Sequence, residues 1–300
     1  MMLSICIPTY NCNVNDLVAE LSRQCADAKV DFEIIVLEDG SDESFAMQNS
    51  NIEKILGAKH IVDSQNHGRS YTRNKLADIA NGEKLIFIDC DSAIPDQLFI
   101  NRYLENSDYD VICGGTTYIK IQYSPEISLR YTFGTKVEKS TAAKRNQAPY
   151  SAFTTNNMLV SKKVFEKIRF CEALKKYGHE DSLFGFELQE NKISINHIDN
   201  PVIHTGIEPN DKFLAKTRSG IENLVEMKQI DGIDPLFFNH IRLYRHYSKL
   251  KKMHLLWTIR LTYKLLGKSI ERHLLNSKSP KLLLFNLYKL GYLCEMEKTR

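Results

Sequence analysis

Lys84-Leu85-Ile86-Phe87-Ile88-Asp89-Cys90-Asp91 carries the strongest structural signal in this 300-residue chain. Nothing polar interrupts residues 85–88, the pattern of a parallel strand covered on both faces. Two carboxylates follow one residue apart, and Ser92-Ala93-Ile94-Pro95 then ends the strand. In a continuing strand those acids would point to opposite faces. Where the chain bends out of the sheet they can converge on one divalent cation, and in open α/β sheets ligands bind beyond the carboxyl ends of the strands. Acids capping a strand also occur in ordinary loops, so the neighbouring sequence has to decide between the two readings.

Outward from this stretch, apolar runs and amphipathic patterns alternate. Strands are expected at 3–8, 32–37, 59–62, 84–88 and 111–113, with helices at 14–28, 69–79 and from Pro95 to about residue 105. Such βαβ punctuation predicts an α/β fold, a Rossmann-like, mostly parallel sheet with helices on both faces. Residues 116–150 are polar and mixed and are expected to form substrate-facing loops. A strand at 153–160, a helix at 162–168, a helix starting near Glu180 and a strand pair across 193–203 follow, and from Pro235 onward the pattern is helical and basic. The expected division is 1–208 for the α/β domain and 209–300 for a basic helical extension.

With 43% hydrophobic residues and no low-complexity stretch, the chain can bury one large core or two modest ones. Its first residues pass straight into a strand-like run, without the features of a signal peptide. The seven cysteines are scattered and form no CxxC pair, which fits reduced thiols and a cytoplasmic setting. The net charge of +3 hides a division: residues 1–239 hold 26 Lys+Arg against 34 Asp+Glu, a net of −8, and residues 240–300 hold 14 against 3, a net of +11. A basic segment of this kind suits an anionic membrane surface or nucleic acid, or simply forms a solvated helix face. Arg260, Lys264, Lys268 and Arg272 recur every four residues beside Leu255, Ile259, Leu266, Ile270 and Leu274, giving an amphipathic helix with a cationic stripe. The run 282–293 is shorter than the roughly 20 residues needed to span a bilayer. It suits either the membrane interface or packing on the protein body.

Several motifs line up in order: Ser4-Ile5-Cys6-Ile7-Pro8-Thr9-Tyr10-Asn11; Ile34-Ile35-Val36-Leu37-Glu38-Asp39-Gly40-Ser41; Asn66-His67-Gly68 through Arg73-Asn74; Phe87-Ile88-Asp89-Cys90-Asp91; and Glu180-Asp181. Together, over about residues 3–206, they resemble the inverting family 2 glycosyltransferases of the GT-A fold, of the bacterial surface-polysaccharide type. The resemblance implies that Pro8, Thr9, Tyr10 and Asn11 line a nucleotide pocket and that Asp39 takes the imide N–H of a uracil ring, which favours a UDP-sugar donor. Glu38 stands where many relatives carry a second aspartate. Asp39-Gly40 is also an ordinary turn former. Asn66 and Gly68 introduce the helix that brings Arg73 near the donor, although Arg73 is equally suited to pairing with a carboxylate that holds that helix in place.

Asp89, Cys90 and Asp91 resemble the family's DxD motif, which holds Mn²⁺ or Mg²⁺ against the donor diphosphate, and His204 is the candidate third metal ligand. Its nitrogen would favour Mn²⁺. Asp181 matches the family's catalytic base, with Glu180 orienting the acceptor or the helix end. Acids in a first helical turn also interact well with the helix dipole. The implied enzyme moves a sugar, with inversion, from a UDP-sugar to a hydroxyl of a glycan or lipid-linked saccharide. It would work at the inner face of the cytoplasmic membrane, which its basic helices would contact. The alternative is a non-catalytic nucleotide-sugar-binding module docking through its tail. A nucleic-acid clamp fits less well, because Trp257, Tyr263, Tyr288 and Tyr292 follow no stacking pattern and the acidic body repels phosphate. A nucleotidyltransferase would need a glycine-rich, lysine-bearing triphosphate loop that the chain lacks.

Overall fold

Ile5, Cys6 and Ile7 point alternately to two faces and are all fully buried, because the strand that carries them lies inside a sheet covered on both sides. The computed structural model describes residues 1–174 and 176–298, so the last two residues of the expected extension, 299 and 300, lie outside the described residues. Among the described residues ten strands form: β1 (Met2–Thr9), β2 (Asp31–Asp39), β3 (Ala58–Asp63), β4 (Lys84–Ile88), β5 (Ser92–Ala93), β6 (Val111–Cys113), β7 (Thr116–Thr117), β8 (Asn157–Ser161), β9 (Asn196–His197) and β10 (Val202–His204). Seven make a mixed sheet in the order β3-β2-β1-β4-β8-β6-β9, parallel from β3 to β4 and antiparallel on either side of β8. Three make a second sheet, β5-β10-β7.

Two apolar cores flank the large sheet, as expected for helices on both faces. On one face Cys6, Ile35, Leu37, Leu85 and Phe87 pack with Leu76 and Ala77 of the helix Arg69–Ile79 and with Phe165 and Phe184. On the other, Ile5, Ile7, Ile34, Val36, Ile86 and Ile88 pack with Val18 and Leu21 of the helix Asn15–Asp27 and with Ile100 and Tyr103 of the helix Phe99–Glu105. Alternation along each central strand thus fills both cores, which is why these strands read as unbroken apolar runs.

Four expectations need correction. Residues 116–150 are not all loop: they form β7 and the helices Ser128–Phe133 and Ala142–Arg145. The strand expected at 153–160 starts only at Asn157, because the chain before it turns so that the Asn156 carbonyl accepts the Asp89 N–H at 3.1 Å. The two strands across 193–203 do not pair with each other. The Asn200 N–H bonds to the Gly114 carbonyl and the Val202 N–H to Gly115, and the buried Asn200 side chain donates to the Phe99 carbonyl, so β10 leaves for the second sheet. Finally, helix begins well before Pro235, with Asn210–Glu226 burying Leu214, Ile221, Leu224 and Val225.

The chain divides into two compact units. The first comprises Met1–Tyr118, Lys139–Lys175 and Leu183–Gly206, and contains both sheets. The second comprises Ile119–Glu138, Lys176–Ser182 and Ile207–Arg300. Within the second unit, Leu129, Leu214, Ile270, Leu274, Phe285 and Tyr288 form one cluster, and Ile221, Val225, Tyr247, Leu293 and Cys294 another. The run 282–293 therefore sits in a helix, Leu282–Met296, whose Phe285, Tyr288, Leu293 and Cys294 are spent on packing inside this unit. Among the described residues no helix is long and apolar enough to cross a membrane.

Candidate active site

The carboxyl ends of β1, β2 and β4 share one edge of the sheet, and side chains at that edge tie the loops together. After β1, Asn11 adopts a left-handed conformation (φ 47°), its N–H donates to Ser41 Oγ at 2.9 Å, and its Oδ1 accepts from the Asp42 N–H at 2.7 Å. Glu38, fully buried, accepts from Asn49 Nδ2 at 2.6 Å and from the Ser41 hydroxyl, with His60 Nε2 3.3 Å away. The Asn49 amide also reaches the Cys12 carbonyl at 2.8 Å. Glu38 is thus the buried hub that fixes the loop 11–14, a role that the sequence alone did not reveal. Of the expected pocket residues, Thr9 is buried, Pro8 and Asn11 half-buried, and Tyr10 exposed.

Asp39 ends β2 and accepts two backbone N–H bonds, from His67 at 2.8 Å and Gly68 at 2.9 Å. Asn66 donates from its side chain to the Asp39 carbonyl at 2.9 Å. A Cβ on Gly40 (φ +71°) would stand 2.5 Å from the Asn66 nitrogen, so the turn requires glycine. Gly68 (φ 91°) starts the helix Arg69–Ile79, and Asp39 therefore anchors that helix to the sheet.

The two acids after β4 part company. Asp89 Oδ1 accepts from Arg73 Nη2 at 2.9 Å, with the guanidinium carbon 5.5 Å from the centre of the Phe170 ring. Asp91 Oδ2 instead lies 3.5 Å from His204 Nδ1. Backbone pairing delivers that histidine: β5 runs antiparallel to β10 with His204 opposite Ser92, and the Thr205 N–H and hydroxyl bond to the Asp91 carbonyl at 2.9 and 2.8 Å. Gly206 leaves room for the carboxylate, since a Cβ there would stand 2.5 Å from Asp91 Oδ2. Burial opposes ionisation of Asp91, but its hydrogen bond to His204 and the charges of His204 and Arg69 outweigh that cost and hold the carboxyl below the ordinary aspartate range. Arg69, one turn before Arg73 and outside the sequence expectation, therefore belongs to the site. Its position at the helix start, directly after Gly68, was the available signal.

Cys90 sits between the acids and accepts at its carbonyl from the Cys12 thiol at 3.2 Å, joining the β1 and β4 loops. Beside Asp89, the Asn156 amide donates to Thr116 Oγ1 at 2.8 Å. The turn Gly114-Gly115 is braced from below: Asn157 Nδ2 donates to the Gly115 carbonyl at 2.9 Å, Tyr103 donates to Asn157 Oδ1 at 2.6 Å, and Arg145 donates to the Gly114 carbonyl at 3.0 Å.

Of the three expected metal ligands the structure brings two together, Asp91 and His204, and gives Asp89 to Arg73. Among the described residues no group of three or more His, Cys, Asp or Glu gathers for a metal. A carboxylate and an imidazole leave most of a divalent ion's positions to water or ligand oxygens, and this set fits an ion shared with a diphosphate.

Glu180 and Asp181 open the helix Glu180–Glu190 and fall in the second unit. Asp181 Oδ1 accepts from the Ser182 N–H at 2.6 Å, while Glu180 is buried. The preceding turn needs positive φ at Gly178 (90°) and His179 (71°), and Asn223 of the helix Asn210–Glu226 holds it by donating to the Gly178 carbonyl at 2.6 Å. Burial pushes the His179 imidazole down to about 4, against the opposing pull of the Glu180 charge and a hydrogen bond with Gly220. The histidine is therefore neutral at pH 7.

Comparison with known proteins agrees with this geometry. Residues 4–169 match the model of glycosyl transferase family 2. Chondroitin synthase of Escherichia coli is 27% identical over 221 residues, a match covering 62% of this chain and 32% of that protein's length. Among solved structures, S. aureus TarS 1–349 in complex with UDP-GlcNAc is similar with a TM-score of 0.53 at 18% identity, over 100% of this chain and 91% of that one. The mannosyltransferase PcManGT of Pyrobaculum calidifontis, in complex with GDP-Man and Mn²⁺, gives 0.56 at 12% identity, over 99% and 86%. These likenesses support the GT-A fold, and since the family model matches more than half of its residues, the chain belongs to glycosyl transferase family 2.

Proposed function

We propose that the protein transfers a sugar, with inversion, from a UDP-sugar to a hydroxyl of a glycan or lipid-linked saccharide, with the help of a divalent cation. The observation that carries this reading is the pairing of Asp91, just after β4, with His204 at the end of β10, in a chain of family 2. The UDP-GlcNAc complex of TarS supports a uridine donor, and the Mn²⁺ complex of PcManGT supports the metal. Asp91 and His204 are the residues that would hold Mn²⁺ or Mg²⁺, which when bound offsets negative charge on the leaving diphosphate.

The remaining roles fall to side chains of the chain itself. Asp39 uses one lone pair of each carboxylate oxygen on the His67 and Gly68 amides and has others with which to accept the uracil imide N–H. Arg73 acts through Asp89, fixing the loop that presents Asp91, and Arg69 adds positive charge near the phosphates. Asp181 is the base that removes the proton from the acceptor hydroxyl as it attacks the anomeric carbon. Its bond from the Ser182 N–H fixes the orientation of the carboxylate at the start of the helix. With a net of +11 over residues 240–300, the enzyme is proposed to meet its acceptor at the cytoplasmic face of a membrane.

The test is release of nucleoside diphosphate from a panel of UDP-sugars and GDP-mannose, with Mn²⁺ and with chelator. Chelator-sensitive release from one UDP-sugar is the expected result. Release from GDP-mannose alone would overturn the role of Asp39, and silence on the whole panel without UDP binding would return the non-catalytic reading. Asp181→Asn should lose transfer by about 10³-fold or more while UDP still binds. Normal turnover in that variant would remove Asp181 from the base role.

A further inference from the structure

The helix Leu256–Asn276 buries only one side. Gly267, Ile270 and Leu274 face the core of the second unit. At about 100° per residue, Trp257, Leu261 and Leu265 fall on the opposite side, each drifting by roughly 40° from the last. They are 63%, 48% and 70% exposed, a ridge of large apolar side chains turned to water. Lys264, Lys268 and Arg272 share the same outward side and are also exposed. None of the three takes part in an ion pair among the described residues, and the helix's sole acid, Glu271, is paired with Arg218 at 2.8 Å.

An apolar ridge running into unpaired cations is the composition of a helix lying in a lipid interface, with acyl chains covering the ridge and acidic headgroups meeting the cations. Tryptophan is the side chain most at home at that depth. The sequence pattern marks Leu255, Ile259, Leu266, Ile270 and Leu274 and the run 282–293 instead, yet Ile270, Leu274 and most of that run are consumed by packing, and of that stripe Leu266 is 52% exposed.

We propose that the outward face of the helix Leu256–Asn276 is a docking surface for an anionic bilayer, with Trp257, Leu261 and Leu265 entering the interface and Lys264, Lys268 and Arg272 meeting acidic headgroups. The proposal deepens the reading of an enzyme that works at a membrane, and rests on that reading only for its biological purpose. The chain supplies its own probe. Trp257 is its single tryptophan, so emission excited selectively from tryptophan, clear of the 14 tyrosines, reports on this face alone.

The experiment mixes the full chain with vesicles of phosphatidylcholine alone, or with about a third phosphatidylglycerol, and follows Trp257 emission and co-sedimentation at low and high salt. The expected result is a blue shift and sedimentation with the anionic vesicles only, both weakened by salt. Changing Lys264, Lys268 and Arg272 together to Gln should weaken binding by about 10²-fold at low salt, since each cation near such a surface contributes a factor of about five. Leu261→Ser with Leu265→Ser should weaken it by 10-fold or more. UDP-sugar hydrolysis without vesicles is expected to stay at the wild-type level in both variants, so a failed enzyme reading and a failed docking surface give different results. Unchanged emission with both vesicles would overturn the proposal. So would a blue shift that needs no lipid and grows with protein concentration, which would make the face a contact between copies, or salt-sensitive capture by RNA without a shift.

Discussion

At the scale of single residues, the site depends on which partner each carboxylate finds. Asp89 takes Arg73, and Asp91 takes His204 in the space that Gly206 leaves. Gly206→Ala should push the Asp91 carboxylate aside, lowering kcat/KM by about 10²-fold in the UDP-release assay with little change in Tm, since the atom that must move is the end of a flexible side chain. His179 makes a pH prediction. Its imidazole titrates at about 4 in the fold against an ordinary 6.5, so between these values the unfolded chain binds more protons. Stability should therefore fall as pH drops from 6.5 toward 4, by ~1–3 kcal/mol, and be unaffected by this group above that window. Urea titrations at pH 7 and 4.5 would read the slope, and His179→Asn should flatten it.

At the scale of elements, a two-strand pairing does what no single motif could. β10 is three residues long, yet its register with β5 sets His204 opposite Ser92 and so beside Asp91. In the second unit, the helices Leu256–Asn276 and Leu282–Met296 approach closely at Gly291, where an added Cβ would run into the Tyr263 ring. Gly291→Ala should cost about 1–3 kcal/mol through overpacking, readable as a lower urea midpoint with an unchanged m-value. Elements defined by contiguous pattern were the legible ones. The strands Lys84–Ile88 and Val111–Cys113 and the helix Arg69–Ile79 have the bounds that their residues predict. The short β9 and β10 were not assignable to a sheet, because two or three residues carry too little pattern to name their partners.

At the scale of the whole molecule, the second unit gathers residues from three separate stretches. Leu129, fully buried, shares its cluster with Leu214, Ile270 and Phe285, and the Leu129 N–H donates to Asn210 Oδ1 at 2.9 Å. A chain ended at residue 208 would leave this part of Ile119–Glu138 without its core. Such a truncation is expected to aggregate or to melt far below the full chain, as checked by light scattering and thermal unfolding. A soluble, cooperatively folded 1–208 would show that Leu129 and its neighbours can be covered in another way.

The sequence by itself determined the central parallel strands, the helices between them and the place of the acidic pair, because each is written in contiguous residues as an apolar run, a period or a turn. It also determined the positive charge of the last helices. Only the tertiary structure decided that Asp91 and not Asp89 meets His204, that Glu38 is a buried hub, and that Trp257, Leu261 and Leu265 are left in water on one side of their helix. Each of these outcomes depends on contacts between distant residues, such as Thr205 and Asp91, 114 positions apart. Local pattern offers several partners of equal chemistry, and packing selects one.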